Sequence, residues 1–309
     1  MVHTSFNRYI NEVMQSENFS DGYVLDTANA IFVNQKLELH SEYKKEVQNL
    51  YEASIRNLDF ANKADKLVKE INDWAEKKTH GTIKKILDQL DPSTNMVLLN
   101  AVYFKGKWKI PFNSTHTSEY YFYNNGMKSQ RKMVPMMSMT NRFFHKNFEN
   151  FKALQLFYTG EKISMLVLLP KKPNGLRALE DSLTSETLLD ILKKLYQTKV
   201  RVSIPKFKLQ FEKDLTPNIK ALGINRIFRE GAAELSGMTS STDVFVSQVV
   251  HKAVIQIDED GTKVAAITRM HVSRSGPHEF RVNYPFLFAI VERGSKSNTV
   301  LFLGRVNEL

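Results

Sequence analysis

The sequence predicts an α+β protein built on large mixed sheets. Three observations carry that expectation. Met96 to Tyr103 and Ile163 to Leu169 are near-continuous apolar runs, the pattern of central strands with both faces covered. Residues 63–79 repeat apolar side chains at helical spacing. Strands and helices interleave irregularly, without the regular alternation of a βαβ repeat. The chain has 309 residues, 42% hydrophobic and 25% charged, ample for a large core. No Pro/Gly/Ser-rich linker, internal repeat or low-complexity segment divides it, so one domain is expected over 1–309.

The elements follow in order. Phe6, Ile10, Val13 and Met14 give residues 5–16 helical spacing. Residues 23–34 read as a strand through Val24, Leu25, Ala28, Ala30, Ile31 and Phe32, and 42–51 as a helix. In the amphipathic helix over 63–79, Ala64, Leu67, Val68, Ile71, Trp74 and Ala75 recur at i, i+3, i+4 and i+7. Asn62 stands as its N-cap and Gly81 just past its end. A helix is expected at 184–196. After it Val200, Val202 and Ile204 alternate, then Phe207, Leu209 and Phe211 do, with a slip of phase at Pro205 that predicts a bend or bulge. Residues 250–257, 281–291 and 299–306 complete the strands.

Composition excludes several chemistries. With no cysteine there is no disulfide, zinc–thiolate site or thiol nucleophile. The longest apolar run, Ile163 to Pro170, is too short to span a membrane, and residues 1–6 lack the pattern of a signal peptide. The eight histidines show no metal-ligand spacing, and no G-x-S-x-G, P-loop or G-x-G-x-x-G occurs, so no enzyme, cofactor or metal is indicated. Net charge is +10, with basic clusters at Lys77, Lys78, Lys84, Lys85 and at Lys193, Lys194, Lys199, Arg201, Lys206, Lys208. Such clusters suit a polyanion such as a sulfated glycan, although a solvated face is the commoner use. No nucleic-acid motif accompanies them. Asn18 and Asn113 open glycosylation triplets. Asn100 and His251 are polar residues inside apolar strand runs, Trp108 reads as core packing, and so does the cluster Met133, Met136, Met137, Met139.

Residues 258–278 stand apart. After Asp258-Glu259-Asp260, whose adjacent carboxylates are expected to be solvated, Thr262, Val264, Ala266, Thr268, Met270 and Val272 are all uncharged. The other register, Lys263, Ala265, Ile267, Arg269, His271 and Ser273, holds every charge. That is a strand with one buried face, yet it leads into Arg274-Ser275-Gly276-Pro277-His278, which is loop chemistry. The segment reads as a loop able to become a strand.

Several motifs now fall into place: Asn100-Ala-Val-Tyr-Phe-Lys-Gly-Lys-Trp108, Val134-Pro-Met-Met137, Leu235-Ser-Gly237, Val250-His-Lys-Ala-Val254, Pro285-Phe-Leu-Phe288, Phe302-Leu-Gly304, and Ile71-Asn-Asp-Trp74 through Gly81. In order and spacing they resemble the serpins, and the match spans nearly the whole chain. Tyr284 before Pro285 departs from the family signature. The resemblance implies a serpin fold of three β-sheets with surrounding helices and an exposed reactive-centre loop at about 261–280. It also implies a chain lacking the family's N-terminal helices. A protease attacks the loop and forms an acyl-enzyme; the loop then inserts into the main sheet and traps it. About a dozen new backbone hydrogen bonds at roughly 1 kcal/mol each rival the whole stability of a domain, about 5–15 kcal/mol.

By the same resemblance the hinge comprises Glu259, Gly261, Thr262, Val264, Ala265, Ala266 and Thr268, with Thr262, Val264, Ala266 and Thr268 facing inward. Val264 and Ile267 are bulkier than family hinges usually carry. Counting from Gly261 puts the cleaved residue at Ser275 and counting back from Pro285 puts it at Arg274. The bond Arg274–Ser275 is favoured because it suits a trypsin-like serine protease, with Arg269 as a competing site. Asn100, His251 and Trp108 match positions where the main sheet opens. Lys193 and Lys194 match a site where some serpins bind sulfated glycosaminoglycans. The expected protein is a secreted, glycosylated monomer, with an intracellular one left open. A non-inhibitory binding protein, or an inactive fragment whose loop is only a substrate, stays as the alternative.

Overall fold

The computed structural model describes residues 7, 22–260, 276–294 and 298–309. The chain divides into two compact units, Met1–Glu17 with Val24–Lys105 and Lys208–Ile255, and Asn18–Tyr23 with Gly106–Phe207 and Gln256–Leu309.

The first unit holds β1 (Tyr23–Asn34), α1 (Ser41–Tyr51), β2 (Ser54–Leu58), α2 (Phe60–Lys78), β3 (Met96–Gly106), β9 (Phe207–Asp214), α5 (Thr216–Ala221) and β10 (Gln248–Ile257), apart from terminal residues of four strands. Its sheet runs β2-β1-β3-β10-β9, with β1 and β2 parallel. The buried face of α2, Leu67, Ile71 and Ala75, packs with Phe32, Leu99, Ala101 and Val254 of the sheet and with Ile83 and Ile86. Each large aliphatic side chain so buried contributes about 1.5–3 kcal/mol. Trp74 meets Phe32 edge-on at 5.7 Å. The helix starts earlier than its periodicity predicts, because a first turn from Phe60 is joined to it across a non-helical Lys63. The cap is therefore Asp59, not Asn62: the Asn62 backbone N–H donates to the Asp59 carboxylate at 3.3 Å. Gly81, at φ +80°, closes the C-terminal turn and donates its N–H to Glu76 O at 2.8 Å.

The second unit holds β4 (Thr117–Tyr123), β5 (Arg131–Asn147), β6 (Phe151–Phe157), β7 (Ile163–Pro170), α3 (Leu176–Ser182), α4 (Ser185–Lys194), β8 (Tyr196–Pro205), β11 (His278–Arg281), β12 (Phe286–Arg293) and β13 (Asn298–Val306). Its strands run β11-β8-β5-β6-β7-β12-β13, and β4 pairs with β5. All eight residues of β7 are buried, as its unbroken apolar run predicts. The 17-residue β5 pairs β4 from Arg131 to Met137 and β6 from Phe144 to Asn147. It thereby joins two expected sheets into one hydrogen-bonded surface.

Two local expectations take a different form. The slip at Pro205 is a change of sheet: β8 ends there, and after Lys206 the next strand belongs to the other sheet. The expected strand 281–291 splits at residues 282–285, where Pro285 supplies no N–H. β11 then pairs β8 in parallel, while β12 lies between β7 and β13.

Candidate functional site

In the first unit, β3 and β10 are hydrogen-bonded neighbours, and Asn100 and His251 face each other across them. His251 Nδ1 lies 2.6 Å from Asn100 Oδ1, and Asn100 Nδ2 donates to Asn29 Oδ1 at 2.7 Å. With the Asn100 amide so oriented its oxygen must accept, which assigns the donor proton to His251 Nδ1. Asn29 Nδ2 in turn donates to Tyr51 O at 3.3 Å. Phe211 of β9 lies 6.0 Å from the His251 ring. The polar chain thus crosses β1, β3 and β10. Burial lowers the His251 pKa below the usual 6.5, so the ring is neutral at physiological pH. Asn29 escaped the sequence reading, although an amide between the small residues Ala28 and Ala30 was the available signal.

In the second unit a clasp holds the residues that follow β10. The Trp108 indole N–H donates to Asp258 O at 2.7 Å, and the Trp108 backbone N–H donates to Asp260 O at 2.9 Å. Trp108 is 2% exposed, stacked 4.4 Å from Tyr158 and edge-on to Phe112. Gly106 makes room for that stack, since a Cβ there would lie 2.4 Å from the Tyr158 ring. Trp108 is core packing, as its type suggests, and also the donor to the Asp258 and Asp260 carbonyls.

Glu259 is held from two sides, by Lys206 Nζ at 2.7 Å and by the Thr117 hydroxyl at 2.9 Å. Burial acts to raise its carboxyl pKa, but the bonds from Lys206, its own backbone and Thr117 outweigh burial and hold it below the ordinary value. The same bond from Glu259 raises Lys206. Asp258 is buried, accepting from Gln256 Nε2 at 2.9 Å and from the Asp260 N–H at 3.1 Å. The expectation of a solvated acidic run is therefore corrected at Asp258 and Glu259, whose carboxylates build the turn. Among the described residues no group of three His, Cys, Asp or Glu side chains is placed to hold a metal ion.

Gly261, Thr262, Val264, Ala265, Ala266, Thr268, Arg274, Ser275, Asn18 and the helix expected at 5–16 lie outside the described residues, apart from Asn7. Asn113 is exposed, and its side-chain Oδ1 accepts from the Thr115 N–H at 3.0 Å. Lys193 and Lys194 close α4, which Thr184 opens with a reciprocal cap to Thr187, and Lys194 pairs with Asp190 at 2.5 Å.

A five-stranded sheet laced by partly buried amides, whose strand β10 leads into a clasped turn, defines a class of protein by its fold. The comparisons give that class its name. The model of the family described as Serpin (serine protease inhibitor) matches residues 1–309. The chain is 35% identical to human (Homo sapiens) Serpin B10 over 99% of its own length and 77% of the relative's. It is 36% identical to Intracellular coagulation inhibitor 1 of Tachypleus tridentatus over 94% and 70%. Native protease nexin-1, solved with heparin, superposes with a TM-score of 0.89 at 29% identity, covering 99% of this chain and 82% of that one. The chain belongs to the serpin family and has the serpin fold. The family is described as one of serine protease inhibitors.

Proposed function

We propose that the chain acts as a single-domain monomer that traps a trypsin-like serine protease. The protease cleaves at Arg274–Ser275, and the loop then enters the five-stranded sheet between β3 and β10. The observation that carries this reading is the adjacency of those two strands. They are neighbours in the sheet, bridged by Asn100 and His251, and β10 runs directly through Asp258–Asp260 into the loop. A strand entering there must break the β3–β10 ladder and the Asn100–His251 bridge, and it gains a ladder on each of its two sides. The uncharged register of Thr262, Val264, Ala266 and Thr268 supports burial of that face.

The test is incubation with trypsin. A protease–inhibitor complex that survives denaturant, together with a gain in thermal stability after loop cleavage, is the expected result. Simple cleavage with neither would sink the reading and leave a binding protein whose loop is a substrate. Two further parts belong to the proposal. Lys193 and Lys194 are the candidates for a sulfated glycosaminoglycan, supported by the heparin in the protease nexin-1 structure. The extracellular, glycosylated reading rests on the exposed Asn113 triplet, while one relative carries the word intracellular in its name.

A further inference from the structure

We propose that His145 and His278 form a binding site for a divalent transition-metal ion of the zinc type. This site is separate from the trapping machinery and does not depend on that reading. His145 lies on β5, opposite Leu154 of β6 and Tyr196 of β8. His278 opens β11, on the other edge of β8, opposite Val200. The two ring centres are 5.5 Å apart with planes inclined by 34°. Two imidazoles bound to one tetrahedral ion, at metal–nitrogen distances of about 2.0–2.1 Å, have their ring centres about 5 Å apart. A small rotation of the exposed His278 ring closes that difference.

His145 supplies the second, independent observation. Its residue is 2% exposed, and its Nε2 has no hydrogen-bond partner. An unmet buried nitrogen costs about 1–3 kcal/mol, and sheet strands fix this one in place. Phe280 stands edge-on to the ring at 5.8 Å. The ring is also in the protonation state a ligand needs. Burial first, then the neighbouring His278 and Lys152, lower the His145 pKa to about 4, against a hydrogen bond with the Asn147 side chain that acts the other way. At neutral pH the ring therefore offers a lone pair, and imidazole nitrogen suits zinc, copper and nickel.

The site has two protein ligands, so water completes the coordination and the affinity expected is micromolar. Lys152, whose ammonium donates to Glu279 O at 3.3 Å, opposes the ion by its charge. The bound ion would tie β11, the strand immediately after the loop, to β5 across β8.

Calorimetric titration of the full chain with zinc chloride at neutral pH tests this. One ion per chain is expected. His278→Gln, an exposed substitution that leaves the apo thermal transition in place, should weaken binding at least about tenfold. Lys152→Gln should tighten it severalfold by removing a like charge. His145→Gln should abolish binding, and if that variant does not fold the other two decide. No saturable binding to the parent chain, or binding undiminished in His278→Gln, overturns the proposal.

Discussion

At the scale of single residues, two contacts at the turn after β10 each give a measurable expectation. Glu259 and Lys206 form a partly exposed pair strengthened by the Thr117 hydroxyl. A double-mutant cycle of Glu259→Gln and Lys206→Met in urea unfolding should return a coupling of about 1 kcal/mol. A coupling near zero would show that the carboxylate is held by Thr117 and its backbone alone. Gly106→Ala pushes a methyl to 2.4 Å from the Tyr158 ring. It should destabilise the chain by about 1–3 kcal/mol and perturb the near-ultraviolet signal of the Trp108–Tyr158 stack. An unchanged unfolding midpoint would mean that the stack relaxes freely. Neither contact was legible in the sequence. Glu259 and Lys206 are 53 residues apart, and a side-chain pair across that distance leaves no periodicity to read. Trp108 was singled out, but its backbone acceptors have no side-chain signature at all.

At the scale of elements, legibility followed burial. β7 could be read because both its faces are covered, which writes an unbroken apolar run, and β1 because buried apolar residues recur along its whole length. Residues 281–291 could not be divided correctly because the break between β11 and β12 rests on which strands each one pairs with, not on side-chain pattern. The polar bridge between β3 and β10 was half legible: Asn100 and His251 stood out against apolar neighbours, and Asn29 did not. That bridge carries a pH dependence. The His251 pKa is lowered in the folded chain, so the unfolded state binds the extra proton more readily. Its contribution to stability is present above about pH 6.5, the unfolded value, and is lost as pH falls from there toward the folded value. Thermal unfolding followed across mildly acidic pH should show that decline, and His251→Gln should make it shallower, the remainder coming from His145, whose pKa burial lowers to about 4. A parallel decline in the variant would assign the effect to another group.

At the scale of the whole molecule, the trapping reading sets a race between insertion of the loop and release of the protease. An inward charge on the loop penalises insertion by several kcal/mol without touching the bait residue. Ala266→Arg should therefore raise the number of inhibitor molecules consumed per protease trapped by at least about tenfold and favour cleaved product. Trapping at the parent stoichiometry would show that position 266 does not face the sheet core. The serpin fold itself was legible from motifs spread over nearly the full length, and the family match over residues 1–309 bears that out. The hydrogen-bonded continuity between two of its expected sheets was not legible, because it depends on one strand, β5, changing partners along its length.

The clasp at Trp108 has an evolutionary consequence. Both acceptors it uses are main-chain carbonyls, those of Asp258 and Asp260, and every amino acid brings that carbonyl. Drift at 258 and 260 can therefore change the turn's charge while leaving the donor's partners in place. Drift at 108 can keep the backbone bond to Asp260 but loses the bond to Asp258, since only an indole brings this ring and this N–H together. Selection on the clasp falls almost wholly on one side of it, so a lineage that loses Trp108 has no compensating substitution available at the acceptors.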